Sequence, residues 1–110
     1  MQIKIQARGF SLSQALQEYI ESKIRLALGR YIDRLARVDI TLLDINGPKG
    51  GEDMRCRMLC RPDGSDSIVI EETAEDMYDA INACAHRMKR ATDRHFTRLQ
   101  SQRRSHLVPI

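Results

Sequence analysis

Four arginines recur in the C-terminal part of the sequence at spacings of three, four and four residues: Arg87, Arg90, Arg94 and Arg98. On a helix these spacings gather the side chains on one flank, which spans about 16 Å at about 1.5 Å per residue. Each guanidinium can bind two phosphate oxygens, and it is weakly hydrated. The helix carries no acid on that flank, whereas a merely solvating face would mix charges of both signs. The pattern therefore favours nucleic-acid binding without separating RNA from DNA.

The cysteines do not form a metal site. Cys56 and Cys60 have a ligand-like spacing, but they lie in a predicted strand, where about 3.3 Å per residue puts them about 13 Å apart. One tetrahedral zinc cannot reach both. Cys84 falls on the core stripe of a predicted helix. We therefore interpret all three cysteines as buried, reduced apolar residues and predict no metal site.

No group of side chains predicts catalysis. His86 projects away from the predicted core and His95 towards it, and neither has an evident catalytic partner. The glycine-rich segment from Asn46 to Gly51 lacks the phosphate-loop pattern and does not lead into a helix. We interpret it as a hairpin loop; the alternative is that Lys49 contacts RNA. We predict no catalytic residue, no cofactor and no small-molecule substrate.

Charge is unevenly distributed along the chain. The net charge is only +3, yet between Val38 and Ala80 eleven acids stand against four bases. From Ile81 onward seven bases are opposed by Asp93 alone. A second basic cluster, opposed by Asp33, consists of Lys23, Arg25, Arg30, Arg34 and Arg37. Two basic segments of this kind are typical of proteins that bind a polyanion.

The length and composition fit one cytoplasmic domain. A chain of 110 residues, 42% of them hydrophobic, can bury one core without disulfides. Met1 leads directly into an alternating segment, so no signal peptide is expected. No apolar run approaches the roughly 20 residues that cross a bilayer. We expect residues 1–100 to form the domain and residues 101–110 to form a basic, frayed tail.

Periodicity predicts four strands and two helices. Strict alternation marks strands at residues 2–8, 38–43, 54–61 and 67–71. A first helix is predicted over residues 12–28, with a capping box at Ser11 and Gly29 as its C′ residue. A second helix is predicted over residues 74–100, with a capping box at Thr73. Its predicted core stripe is Met77, Ile81, Cys84, Met88, Ala91, His95 and Leu99.

The order β-α-β-β-β-α predicts an α+β fold with a four-stranded mixed sheet. The last three strands can pair as an antiparallel meander, and the first strand joins at an edge. The strands are apolar on one side only, so both helices should pack on the same face.

The second predicted helix opens with the run Glu75-Asp76-Met77-Tyr78-Asp79-Ala80-Ile81-Asn82 and continues with many cations. This segment resembles the signature of the ribosome hibernation promoting factor and ribosome-associated inhibitor family, also called sigma-54 modulation proteins. The segment from Ser11 to Leu35, especially Arg30 to Arg34, is similar to the family's first helix and its exit. The resemblance covers about residues 1–100 and is to the short, single-domain form.

The resemblance implies a fold like that of double-stranded RNA-binding domains. It also implies binding to the small ribosomal subunit near the decoding centre, in the place of tRNA and mRNA, during hibernation under stress. The RNA-binding positions that it implies are Lys23, Arg25, Arg30, Arg87, Lys89, Arg90 and Arg94, to which the arginine spacing adds Arg98. Three departures from the family are arginines at positions that are often lysine, a longer segment at 46–53, and no following second domain. Pairing of ribosomes by this chain alone is therefore not expected.

The leading hypothesis is a stoichiometric translation inhibitor that is monomeric away from the ribosome and binds neither membranes nor small molecules. A second hypothesis is a regulatory module whose basic face binds an acidic protein. An enzyme is the third, opposed by the missing site. Saturation at one protein per ribosome would favour the first hypothesis, inactivity in a purified translation system the second, and inhibition at far lower doses the third.

Overall fold

The computed structural model describes residues 1–45 and 54–107, the last five of these by their backbone alone. The strands are β1 (Gln2–Arg8), β2 (Leu35–Asp44), β3 (Met54–Pro62) and β4 (Ile68–Ala74). The α helices are α1 (Gln14–Leu28) and α2 (Met77–Leu107), and a 3₁₀ helix, Gly29–Arg34, follows α1. The predicted order β-α-β-β-β-α is confirmed. The glycine-rich segment with Lys49 lies outside the described residues.

The four strands form one mixed sheet in the order β1-β2-β3-β4. The strands β2, β3 and β4 are successively antiparallel and β1 lies at an edge, as predicted. The edge partner of β1 is β2, to which it runs parallel. A tight turn joins β3 to β4, with Gly64 at a φ of +71°, where a glycine avoids the steric cost of a Cβ. One row across the sheet consists of Ile5, Ile40, Met58 and Ile70. This row belongs to the face that the helices cover.

Both helices pack on that single face. α1 buries Leu16, Ile20, Ile24 and Leu28, spaced four residues apart so that they form one stripe. These side chains join those of β2, β3 and α2 in one core. The opposite face of the sheet carries no helix among the described residues. The domain therefore has a helical side and an open sheet side.

Both helices begin later than predicted. The hydroxyl of Ser13, not Ser11, accepts the hydrogen bond from the Leu16 amide at 3.1 Å and caps α1. Asp76, not Thr73, caps α2 by accepting from the Tyr78 amide at 2.7 Å. Thr73 instead lies in β4, paired with β3. Gly29 keeps a right-handed φ of −57°, because the chain continues into the 3₁₀ helix rather than reversing at a C′ glycine.

The first half of the predicted core stripe of α2 is confirmed, since Met77, Ile81, Cys84 and Met88 are buried, but its second half is rotated from the prediction. Ala80, Ala85, Thr92 and Phe96 are buried, whereas Ala91, His95 and Leu99 are only half-buried. The rotation turns the helix towards α1, which the pattern of one helix cannot reveal. The helix also continues to Leu107, beyond its predicted end near residue 100, so the expected tail begins as helix.

Candidate nucleic-acid interface

The four regularly spaced arginines of α2, Arg87, Arg90, Arg94 and Arg98, are all exposed. Arg94 and Arg98 line a shallow depression together with Ile68, Ala91 and His95, on the side of α2 that faces β4. Among the described residues no carboxylate pairs with Arg90, Arg94 or Arg98. Because their side chains are solvated and lack an anionic partner, these three arginines are available to phosphate.

Arg87 differs from the other three. Its Nη1 lies 2.7 Å from Oε1 of Glu72 and donates a hydrogen bond to the Glu71 backbone oxygen at 3.1 Å. A carboxylate from β4 therefore borders the arginine flank, which the sequence of α2 alone did not indicate. Arg87 ties the helix to the sheet edge. An exposed pair of this kind contributes about 0–1 kcal/mol to stability.

A groove between the two helices holds a second group of the predicted residues. Lys23, Leu26 and Ala27 of α1 face Asn82, Ala85, His86 and Lys89 of α2. The helices are linked there by the Tyr19 hydroxyl, which donates to Asn82 Oδ1 at 2.6 Å. The fold thus brings Lys23 and Lys89 to one groove. They lie on the other side of α2 from Arg94 and Arg98.

Asp93 is the acid that holds this region together. Its Oδ1 accepts from the Tyr31 hydroxyl at 2.5 Å, its Oδ2 lies 2.9 Å from Lys89 Nζ, and Arg30 Nη1 is 4.0 Å away. The hydrogen bonds from Tyr31 and Lys89 lower the pKa of the Asp93 carboxyl. Burial, followed by the hydrogen bond to Asp93, raises the pKa of the Tyr31 hydroxyl. Asp93 therefore positions two predicted cations.

Aromatic rings extend the same anchor. Tyr31 stacks on Phe96 with ring centroids 4.3 Å apart, and the Arg34 guanidinium lies 4.2 Å from the Phe96 ring centroid. Sequence analysis missed the roles of Tyr31 and Phe96. The available signal was Asp93 itself, the only acid after Ile81 in an otherwise basic helix. A lone acid among cations indicates a fixed partner.

Arg25 does not join either group. It lines a separate surface depression with Glu18, Glu21, Ser22 and Leu26. Acidic neighbours on its own helix make that surface mixed in charge. Of the predicted RNA-binding residues, Arg25 is therefore the one that the fold separates most clearly from the rest.

The cysteines are buried and free, as predicted. The Cys84 thiol donates to the backbone oxygens of Cys56 and Ile70, at 3.4 and 3.3 Å. Burial raises the pKa of the Cys60 thiol to about 11, and the hydrogen bond with Cys84 raises that of Cys56. Because the thiolate is the nucleophile and metal ligand, both thiols are inert near neutral pH.

Two further features are absent from the part of the chain that the structure describes. No group of three or more His, Cys, Asp or Glu side chains there could hold a metal ion. No helix in this part of the chain combines the length and apolar character needed to cross a membrane. His86 is exposed, as predicted, and His95 is half-buried with its Nε2 lacking a hydrogen-bond partner among the described residues.

A family model described as sigma 54 modulation protein / S30EA ribosomal protein matches residues 3–100. The chain belongs to this family. The resemblance read from the signature at residues 75–82 is thereby confirmed. Membership identifies a ribosome-associated modulation factor and not an enzyme, so the expectation of no enzymatic activity is confirmed as well.

Three individual proteins are similar to this chain. A ribosome hibernation promoting factor from Acinetobacter guillouiae is 27% identical over 100 residues, which cover 86% of this chain and 87% of the relative. The N-terminal domain of Protein Y from Thermus thermophilus has a TM-score of 0.72 and 24% identity, covering 86% of this chain and 99% of its own. A ribosomal subunit interface protein from Coxiella burnetii has a TM-score of 0.73 and 21% identity, covering 88% and 99%. The two structures have the same fold as this protein.

Proposed function

We propose that this protein is a cytoplasmic hibernation factor that binds ribosomal RNA of the small subunit near the decoding centre and blocks the tRNA and mRNA sites. The observation that supports this proposal most directly is the row of Arg90, Arg94 and Arg98. These side chains are exposed and have no carboxylate partner among the described residues. The curated relative is named as a ribosome hibernation promoting factor, which supports the same role.

The geometry supports contact over the whole helical side. The arginine row lies on the β4 side of α2, and the groove with Lys23 and Lys89 lies on the α1 side. The side chain of Arg30 is 70% exposed and lies 4.0 Å from Asp93, which also pairs with Lys89 of that groove. Two rows of cations separated by the body of α2 fit two phosphate strands better than one. We therefore assign the contacts to Lys23, Arg30, Lys89, Arg90, Arg94 and Arg98.

Arg87 and Arg25 have a smaller part in this proposal. Arg87 already neutralises Glu72, and a phosphate would have to displace that carboxylate. Arg25 shares its surface with Glu18 and Glu21, whose charges repel phosphate. These two arginines serve as internal controls when the binding face is tested by substitution.

The mechanism is competition by occupancy and involves no bond chemistry. Inhibition of translation in a purified system should saturate near one protein per ribosome. It should weaken when initiator tRNA and mRNA are bound first, because all three ligands claim the same surface. Inhibition at far below one equivalent would refute occupancy.

The second candidate is a regulatory module that binds an acidic protein. Carboxylates already contact two of the cations in the fold, since Glu72 pairs with Arg87 and Asp93 with Lys89. These contacts favour a partner that carries acidic side chains. Such a module would leave purified translation unaffected and would not cosediment with small subunits. Cosedimentation that salt releases steeply would instead favour RNA, because counterions leave the phosphates on binding.

A further inference from the structure

The open face of the sheet is a second basic surface that the helical side does not include. Strand alternation and register place side chains from all four strands on this face. The cations on it are Lys4, Arg8, Arg37, Arg55, Arg57 and Arg61. The acids on it are Asp39 and Glu71. With six positive charges and two negative ones, the net charge of this face is +4, which exceeds the +3 of the whole chain.

Both acids on this face are already neutralised. Arg37 Nε lies 2.9 Å from Asp39 Oδ1, and Arg57 Nε lies 3.5 Å from Glu71 Oε1. In the part of the chain that the structure describes, no carboxylate pairs with the remaining cations Lys4, Arg8, Arg55 and Arg61. The excess positive charge is thus left facing solvent.

Two of the cations lie directly opposite each other, although Arg37 is already paired with Asp39. Arg37 and Arg61 are direct cross-strand partners on β2 and β3. Side chains at such positions have Cβ atoms about 5 Å apart, and like charges there are destabilising. A neutral strand-forming residue at either position would relieve the repulsion. The pair is therefore better explained by an anionic ligand than by the stability of the sheet.

We propose that this outer sheet face binds a second segment of RNA backbone, so that the domain is held between two RNA segments. The proposal rests on the proposed function, since it assumes that the helical side binds the first segment. Five of the six cations are arginines, which fork onto phosphate oxygens. The side chains of Gln2, Gln6 and Thr41, which lie among these cations, add hydrogen-bonding groups.

RNA fits this face better than a protein does. Protein interfaces are enriched in aromatic residues and depleted of charges at their centre. The described outer face has no aromatic residue, and its centre is the charged depression lined by Lys4, Arg37, Asp39 and Arg57. Its apolar members are few: Leu43 lies opposite Arg55, and Leu59 and Val69 lie opposite each other, with Asp39 as the other neighbour of Leu59.

Two sets of threonine substitutions test the proposal with opposite changes of charge. Threonine keeps the strand propensity of each position. The cation set is Lys4→Thr, Arg55→Thr and Arg61→Thr; the acid set is Asp39→Thr and Glu71→Thr. All five side chains lie on the outer face, so both variants should melt at or near the temperature of the unchanged protein.

The assay is energy transfer between two RNA duplexes of about 16 base pairs, one carrying a donor and one an acceptor dye. The unchanged protein should bridge them. At salt concentrations where the unchanged protein bridges, the cation-set variant should bind only one duplex and lose the transfer signal. At lower salt, its second binding step should have a salt slope that is smaller by about 0.9 per contact removed. The acid-set variant should retain bridging to higher salt.

A helical-side variant separates this inference from the proposed function. Arg90→Gln, Arg94→Gln and Arg98→Gln together should also abolish bridging, while the sheet face still binds one duplex. If the helical-side variant still bridges, the proposed function is wrong about its binding face. If the folded cation-set variant bridges with an unchanged salt slope, the sheet inference is overturned, and an acidic protein becomes the better candidate for that face.

Discussion

Replacing Arg90, Arg94 and Arg98 by glutamine should remove half of the proposed helical-side contacts with RNA. Glutamine preserves helix propensity, and all three side chains are exposed, so α2 should stay folded. The other three proposed contacts, from Lys23, Arg30 and the Lys89 ammonium, would stay in place. The change therefore tests the arginine row and leaves the groove intact.

The magnitude follows from counterion release. With about 0.9 counterions per phosphate contact, the six helical-side contacts contribute about −5.4 to the salt slope, and three contribute about −2.7. Between about 50 and 200 mM salt, this helical-side contribution should weaken binding about 2,000-fold in the unchanged protein and about 40-fold in the variant. The two curves should diverge most at low salt, where the variant binds much more weakly.

The measurement is cosedimentation with purified small ribosomal subunits over a series of salt concentrations. Arg87→Gln and Arg25→Gln are the matched controls, because Arg87 is paired with Glu72 and Arg25 lies beside acids. Each control should change the slope by less than one contact, about 0.9. A folded triple variant with the slope of the unchanged protein would refute the assignment of the arginine row to the binding face.

Three other predictions concern stability. The native contacts of Asp93 lower the pKa of its carboxyl from the ordinary 3.8. They therefore stabilise the fold above pH 3.8, and this contribution is lost as the pH falls through the native pKa. The substitution Asp93→Asn should remove this part of the acid dependence of stability, measured by urea unfolding. Ser13→Ala should cost about 1 kcal/mol, as loss of a helix cap does, whereas Ser11→Ala should stay within about 0.5 kcal/mol; equal costs in chemical denaturation would contradict the assignment of the cap. Met88 is fully buried, so Met88→Ala should cost about 2–5 kcal/mol in the same assay, and a smaller loss would contradict its place in the core.

The number and order of the strands were predictable because their alternation is a local property. In β1, for example, the apolar Ile3 and Ile5 alternate with polar neighbours, and the predicted bounds are those observed. The strands β2 and β4 extend beyond their predicted bounds of 38–43 and 67–71. Helix starts were less predictable, because Ser11 and Ser13 are both good caps and only the path of the chain from β1 selects one. Thr73 also suits a cap, but pairing of β4 with β3 holds it in an extended conformation.

The candidate interface was predictable as a set of cations but not as a surface. The spacing of Arg94 and Arg98 places them on one flank, and the structure retains that arrangement. Bringing Lys23 to Lys89 depends on how α1 crosses α2, which involves residues far apart in the sequence. The same crossing excludes Arg25. Glu72 meets Arg87 only because β4 lies beside α2.

Asp93 shows how a basic helix can be both a binding face and part of a stable fold. Its carboxylate lowers the local positive charge, which weakens attraction to phosphate. The same contacts hold Lys89 and Tyr31 in place and keep Arg30 near Asp93, so less side-chain freedom would be lost in the proposed binding of RNA. One acid placed among cations therefore limits their mutual repulsion and fixes their geometry. Asp93 offsets positive charge on its own side of α2, whereas Arg90, Arg94 and Arg98 on the other side supply positive charge that no described carboxylate offsets.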